Sequence, residues 1–328
     1  MLRAQDFRGL YAIIATPTND DGSSVTATDT VNLAETERVL NQLLADGANG
    51  LILLGTTGEC ATITRKEFEA FTDCALSTVR ARVPVFIGTT QLGTHEVAER
   101  TRFARERGAT GILLGLPMWQ PLTLDMAVQY YKGMSAAFPD LPIMVYGNPR
   151  AFRFPFAPDF WARIADEAPT VVAAKFSRPP MLAEAQAASR GKIHFLPNDG
   201  ALKKFTDINR ATTTACWSTA SSMGPEPALA MINAVLDADP AREEAVAKDL
   251  AWTREPIKFL TENAELFASY NLQIEKLRAN AAGYMKAGPI RPPYEVVPEE
   301  YVKAATENGL RWKELRKKYA GASLAFAK

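Results

Sequence analysis

Eight short apolar runs recur along the first two thirds of this chain, and their spacing leaves few folds open. They span residues 10–16, 50–54, 83–88, 111–116, 142–146, 171–177, 193–197 and 213–218. Each is continuous rather than alternating, as expected of a parallel strand covered on both faces. Amphipathic stretches of helical period separate them, over residues 29–44, 65–78, 94–107 and 125–137 in the first half. Strand and helix in strict alternation specify parallel β-α units, and eight in series predict a closed (β/α)8 TIM barrel. An open doubly wound sheet would be expected to carry a glycine-rich phosphate turn after its first strand. Ala15-Thr16-Pro17-Thr18 is not such a turn.

After Ser222 the strand pattern stops. Residues 225–236, 242–266 and 270–282 read as helices, with Pro256 kinking or dividing the second. Residues 288–294 are too rich in proline for a helix, residues 298–319 form a last one, and the tail 320–328 is expected to fray. Two regions are therefore expected: a barrel over 1–222 that holds the active site, and a C-terminal helical region over 223–328 packed on it.

Composition narrows the chemistry. Lys plus Arg equals Asp plus Glu, at 37 each, so net charge offers nothing to nucleic acid or an anionic membrane. The N-terminus lacks a basic-then-apolar leader, and the apolar runs are too short to span a bilayer. Cys60, Cys74 and Cys216 stand far apart, which suggests a reduced cytoplasmic compartment without a disulfide framework. With only His95 and His194 present, a metal site of several imidazoles is not available, and no metal is expected. No G-x-S-x-G elbow accompanies either histidine.

The polar residues worth following sit at the C-terminal ends of the strands, where barrels of this kind keep their chemistry. Val171-Val172-Ala173-Ala174 runs into Lys175. Burial disfavours the ammonium form and so favours a neutral amine, as a Schiff-base nucleophile requires. Tyr146 ends the neighbouring strand, roughly 4.8 Å away, and its phenol can shuttle a proton to the amine. Gly55-Thr56-Thr57-Gly58 ends strand two, where hydroxyls and backbone N–H groups can grip a small carboxylate. Plainer readings exist for each: a snorkelling lysine, a rim tyrosine, an ordinary turn followed by Glu59 as an early-helix carboxylate. Their convergence on one barrel end favours chemistry.

These residues carry a family resemblance that covers essentially the whole chain. Gly55-Thr56-Thr57-Gly58-Glu59, Tyr146-Gly147-Asn148-Pro149 and Lys175 resemble the carboxylate turn, relay tyrosine and Schiff-base lysine of the pyruvate-dependent class I aldolases. That family includes dihydrodipicolinate synthase and N-acetylneuraminate lyase. The synthase's tyrosine pair after strand four is replaced by Pro117-Met118-Trp119, and its substrate-carboxylate arginine by Ala151. Both departures point away from lysine-biosynthetic and sialic acid chemistry. Residues 58–62, 116–119, 160–161 and 287–294 instead look like the aromatic hydratase-aldolases that act on trans-o-hydroxybenzylidenepyruvate or 2'-carboxybenzalpyruvate.

The resemblance implies a mechanism. Lys175 would form an imine with an arylidene-pyruvate while Thr56 and Thr57 hold its carboxylate, and Asn271 and Trp217 would place the water that hydrates the alkene. Retro-aldol cleavage would release an aromatic aldehyde and pyruvate, with no cofactor beyond the covalent imine on Lys175. Trp119, Phe152 and Trp217 are expected to line the aryl pocket, and Arg178, Lys203 or Lys204 to meet a second carboxylate. A homotetramer is implied by the same resemblance. Two other readings remain: a pyruvate lyase or synthase acting on an aliphatic aldehyde, and a non-catalytic pyruvate-binding protein.

Overall fold

The computed structural model describes residues 1–321. Its centre is one eight-stranded parallel sheet: β1 Gly9–Ala12, β2 Gly50–Leu53, β3 Val85–Gly88, β4 Gly111–Leu114, β5 Ile143–Tyr146, β6 Val171–Lys175, β7 His194–Leu196 and β8 Ala215–Ser218. The strands run in order from β7 back to β1, and β8 lies beside β1. A parallel bridge between Asn198 and Trp217 joins β7 to β8 and closes the barrel. All eight expected strands are present. Almost every strand residue is buried, because the barrel interior takes one face and the helices cover the other. Fully burying each leucine, isoleucine or valine in these strands is worth roughly 1.5–3 kcal/mol.

One irregularity sets the register at the site. Ile143 pairs with Val171 but Met144 pairs with Ala173, so Val172 is an extra residue in β6. Beyond that bulge Tyr146 stands directly opposite Lys175.

The connecting helices are α1 Leu33–Ala45, α2 Arg65–Val79, α3 Thr94–Glu106, α4 Leu124–Ala137, the single turn α5 Pro149–Phe152, then α6 Pro158–Glu167, α7 Leu182–Ser189 and α8 Leu202–Asn209. The start of α2 is sharply defined: Thr64 and Glu67 cap each other's backbone N–H groups. Such a capping box is worth about 1 kcal/mol. Next comes α9 Glu226–Leu236, which packs on β1, β8 and α8. The ring's eighth helix is thus α9, on the C-terminal side of the boundary expected at residues 222/223.

The C-terminal part holds α10 Pro240–Arg254, α11 Lys258–Thr261, α12 Ala264–Ala282 and α13 Glu299–Lys318. The helix expected over 242–266 is divided: Pro256 lies in a 3-10 turn after α10, and Asn263 caps the start of α12. Trp312 and Leu315 of α13 share a buried cluster with Leu10, Cys216 and Met231, so barrel and helical region are packed into one core. No helix among the described residues is long and apolar enough to cross a membrane. Most of the tail expected to fray, residues 322–328, lies outside the described residues.

Candidate active site

Lys175 ends β6 at the barrel mouth with only 9% of its surface exposed. Its Nζ lies 3.5 Å from the ring centroid of Trp217 and 4.6 Å from that of Tyr146. Burial between these rings pulls its pKa below the ordinary lysine value, against opposing pulls from Tyr146 and from the Glu275 charge. The Trp217 wall is fixed from behind. Its indole N–H donates to the Leu196 carbonyl at 3.0 Å, and its backbone N–H to Pro197 at 2.9 Å.

The Tyr146 hydroxyl is 2.8 Å from the Thr56 hydroxyl, and the Asn148 side-chain amide approaches it at 3.5 Å. The phenol and the threonine hydroxyl are thus hydrogen-bonded to each other, with the amine lying against the face of the phenol ring. The turn that presents Thr56 and Thr57 is tightly wound, with Glu59 N–H donating to Thr56 O at 3.0 Å and Cys60 N–H to Gly55 O at 3.2 Å. Gly58 is required by close approach: a Cβ there would stand 2.7 Å from the Leu54 nitrogen.

Glu59 does not join the following helix, so the plainer reading of it as an early-helix carboxylate does not hold. It sits in the turn with a φ of 56°, fully buried, in ion pairs with Lys276 and Arg291. The helix starts six residues later, where Thr64 supplies the cap.

Above these groups opens a cavity of about 650 Å³. One wall is α12, whose Asn271, Ile274, Glu275 and Arg278 all face it. Their spacing along the helix places them on one stripe. Glu275 and Arg278 are paired at 2.7 Å and share the Thr219 hydroxyl, while Asp199 is held by Arg254 at 2.7 Å and by Ser218 at 2.7 Å. Three other cations line the cavity without a carboxylate partner among the described residues: Arg150, Arg178 and Lys204. Arg150 lies over the Phe267 ring at 4.4 Å, and Arg178 donates to the Pro155 carbonyl at 2.6 Å.

Thr56, Thr57, Tyr146, Lys175, Arg178, Trp217 and Asn271, all anticipated in the sequence, line this one cavity. Three other anticipated residues stand elsewhere. Trp119 is 78% exposed on the β4–α4 loop, Lys203 is half-buried and pairs with Asp207 at 3.0 Å, and Phe152 is buried behind Tyr146. Phe152 fills the space over Gly115, where a Cβ would meet its ring at 2.0 Å. Of the three aromatics expected around an aryl group, Trp217 alone borders the cavity.

Asn148, Arg150, Asp199, Thr219, Glu275 and Arg278 border the cavity but escaped the sequence reading. The strand-end rule could have found the first four, which follow β5, β7 and β8. The last two needed the docking of α12. Among the described residues no group of three or more His, Cys, Asp or Glu is placed to hold a metal ion.

Comparison with known proteins agrees with this geometry. The chain is 39% identical to the trans-O-hydroxybenzylidenepyruvate hydratase-aldolase of Pseudomonas aeruginosa, over 97% of this chain and 96% of that one. It is 35% identical to the trans-2'-carboxybenzalpyruvate hydratase-aldolase of Nocardioides sp. (strain KP7), over 96% of this chain and 95% of that one. The solved structure of PhdJ bound to a substrate intermediate superposes with a TM-score of 0.93 at 30% identity, covering 97% of this chain and 99% of that one. The profile of the dihydrodipicolinate synthetase family matches residues 6–307. By strand order, strand-end chemistry and sequence alike, this chain belongs to the dihydrodipicolinate synthetase family.

Proposed function

We propose that the protein is a Schiff-base-forming hydratase-aldolase, a carbon–carbon lyase that cleaves an ortho-substituted benzylidenepyruvate, 2-hydroxy or 2-carboxy, in polycyclic aromatic hydrocarbon degradation. The observation that carries this reading is the Lys175 amine, buried between the rings of Trp217 and Tyr146, with the Tyr146 hydroxyl bonded to that of Thr56. Full-length likeness to hydratase-aldolases supports the reaction class.

Lys175 attacks the 2-keto carbon, and Tyr146 carries protons as the carbinolamine loses water to give an iminium ion. The turn at Thr56 and Thr57 takes the pyruvyl carboxylate through hydroxyl and backbone N–H donors. The iminium draws electrons from the conjugated alkene, water placed by Asn271 and Trp217 adds at the carbon bearing the ring, and protonation of the resulting enamine at the adjacent carbon restores the iminium. Loss of the new hydroxyl's proton breaks the carbon–carbon bond. The aldehyde leaves, the electron pair is held as an enamine, and protonation and hydrolysis release pyruvate. The iminium is the electron sink, so the scheme calls for no metal or organic cofactor.

Arg150, Arg178 and Lys204 give an acidic ortho substituent three cations to meet at the rim, as phenolate or as carboxylate. Family likeness supports a homotetramer, and three unpaired cysteines support a cytoplasmic setting. The test is borohydride reduction with pyruvate followed by peptide mapping. A pyruvyl adduct on Lys175 is expected, and its absence from the folded protein would overturn the mechanism.

A further inference from the structure

Glu59 is the most enclosed carboxylate near the cavity, yet it touches none of the cavity's contents. Its side chain and that of Lys276 are both 0% exposed. Lys276 Nζ reaches Glu59 Oε2 at 2.9 Å, and Arg291 ion-pairs with the same oxygen. Lys276 also holds the Thr18 hydroxyl, and Arg291 extends the network through Thr30 Oγ1 at 2.8 Å, which in turn bonds Glu67 at 2.5 Å. A buried ion pair of this kind contributes little net stability, because desolvation offsets much of the attraction. Its retention calls for another reason.

The backbone supplies one. Glu59 lies in the left-handed region at φ 56°, and Leu54, on the other side of the turn, at φ 57°. Non-glycine residues in that region cost of order 1–3 kcal/mol each and persist where their surroundings fix them. Between these two points hang Thr56 and Thr57, the former 2.8 Å from the Tyr146 hydroxyl. On the other side of the turn the Thr16 hydroxyl donates to Gly58 O at 2.7 Å, and the Thr16 carbonyl also faces Lys276 and Arg291.

We infer that Glu59 is a positioning residue: Lys276 and Arg291, from the C-terminal region, clamp its carboxylate so that the 55–59 turn presents its donors to the substrate's carboxylate. The C-terminal region then acts on the site twice, directly through Asn271 and Glu275, and at a distance through this clamp. The inference rests on the proposed role of the turn in carboxylate binding.

The experiment measures, for Lys276→Met and Glu59→Gln, the pyruvate concentration that half-saturates borohydride trapping of Lys175, together with thermal stability. Lys276→Met leaves the Glu59–Arg291 pair but removes the donor to Glu59, Thr18 and Thr16, so the variant is expected to fold with a lowered melting temperature. Its half-saturating pyruvate should rise on the order of tenfold, as for a donor displaced by a fraction of an ångström to one ångström. Maximal adduct on Lys175 should be unchanged. A purely structural clamp would lower stability without moving half-saturation. Wild-type half-saturation in either folded variant overturns the clamp, while a folded parent that forms no adduct overturns the proposed function itself.

Discussion

Two lysines are buried in this molecule within reach of the same turn, and their surroundings put the same side chain to opposite uses. Lys276 on α12 is fastened to a carboxylate, a hydroxyl and a carbonyl, and burial still lowers its pKa to about 8, with Arg291 adding to the fall. Lys175 at the end of β6 has no carboxylate in ion-pair contact among the described residues and faces the rings of Trp217 and Tyr146. Burial lowers its pKa as well. Desolvation is thus common to both and cannot by itself mark a nucleophile. What separates them is whether the nitrogen's hydrogen-bonding capacity is already committed.

The sharpest way to break that comparison is Lys175→Met. Turnover of any arylidene-pyruvate and adduct formation should both fall to background, whereas Lys276→Met should keep full adduct at saturating pyruvate. Stability should move the other way. A lysine whose folded pKa lies below its ordinary value of 10.5 destabilises the fold wherever it is protonated. That cost is complete below the folded pKa and disappears as pH rises toward 10.5. Lys175→Met should therefore melt higher at neutral pH by roughly 1–2 °C for each kcal/mol relieved, and calorimetry against pH should show the gain vanishing on the alkaline side. An equal gain at every pH would remove charge burial as its cause.

Tyr146→Phe should cost less. It removes the proton carrier but keeps the ring, so kcat should drop by about 10²–10⁴-fold, the usual worth of a positioned acid–base group. Lys175 should still trap pyruvate slowly, and an unchanged kcat would move proton transfer to another group.

The smallest effect concerns Glu275→Gln. The Glu275 charge favours the Lys175 ammonium, so its removal should lower the Lys175 pKa and shift the acid limb of kcat/KM to lower pH. The change in rate at neutral pH should be well under roughly tenfold, about one pKa unit's worth. A shift to higher pH would mean that the limb belongs to a different group.

The strands and the juxtaposition of Lys175 with Tyr146 were legible because burial on both faces leaves uninterrupted apolar runs, and a lysine or tyrosine at the end of one stands out. Strand limits were less so. The third run begins at Val83 but the strand at Val85, after Pro84, which has no N–H to give a neighbour. The split of the helix expected over 242–266 was announced by Pro256, and Asn263 was a readable cap for α12. Trp119 and Phe152 show the limit of reading pockets from aromatic content. Which way a loop residue faces depends on gaps such as the one above Gly115, and those exist only once the loops have packed. The surroundings of Glu59 were out of sight for a related reason: its two partners come from more than two hundred residues further along the chain.

The extra residue Val172 in β6 has a consequence for anyone moving this chemistry to another barrel. Side chains on a strand alternate between inside and outside, so a single residue of offset exchanges the two. Pairing the same five residues evenly from Val171 would set Ala174, not Lys175, opposite Tyr146 and put the lysine out of phase with it, with every side chain retained. A graft that copies only the residue types onto evenly paired strands would carry the right parts in the wrong phase. The offset belongs to the blueprint as much as the lysine does.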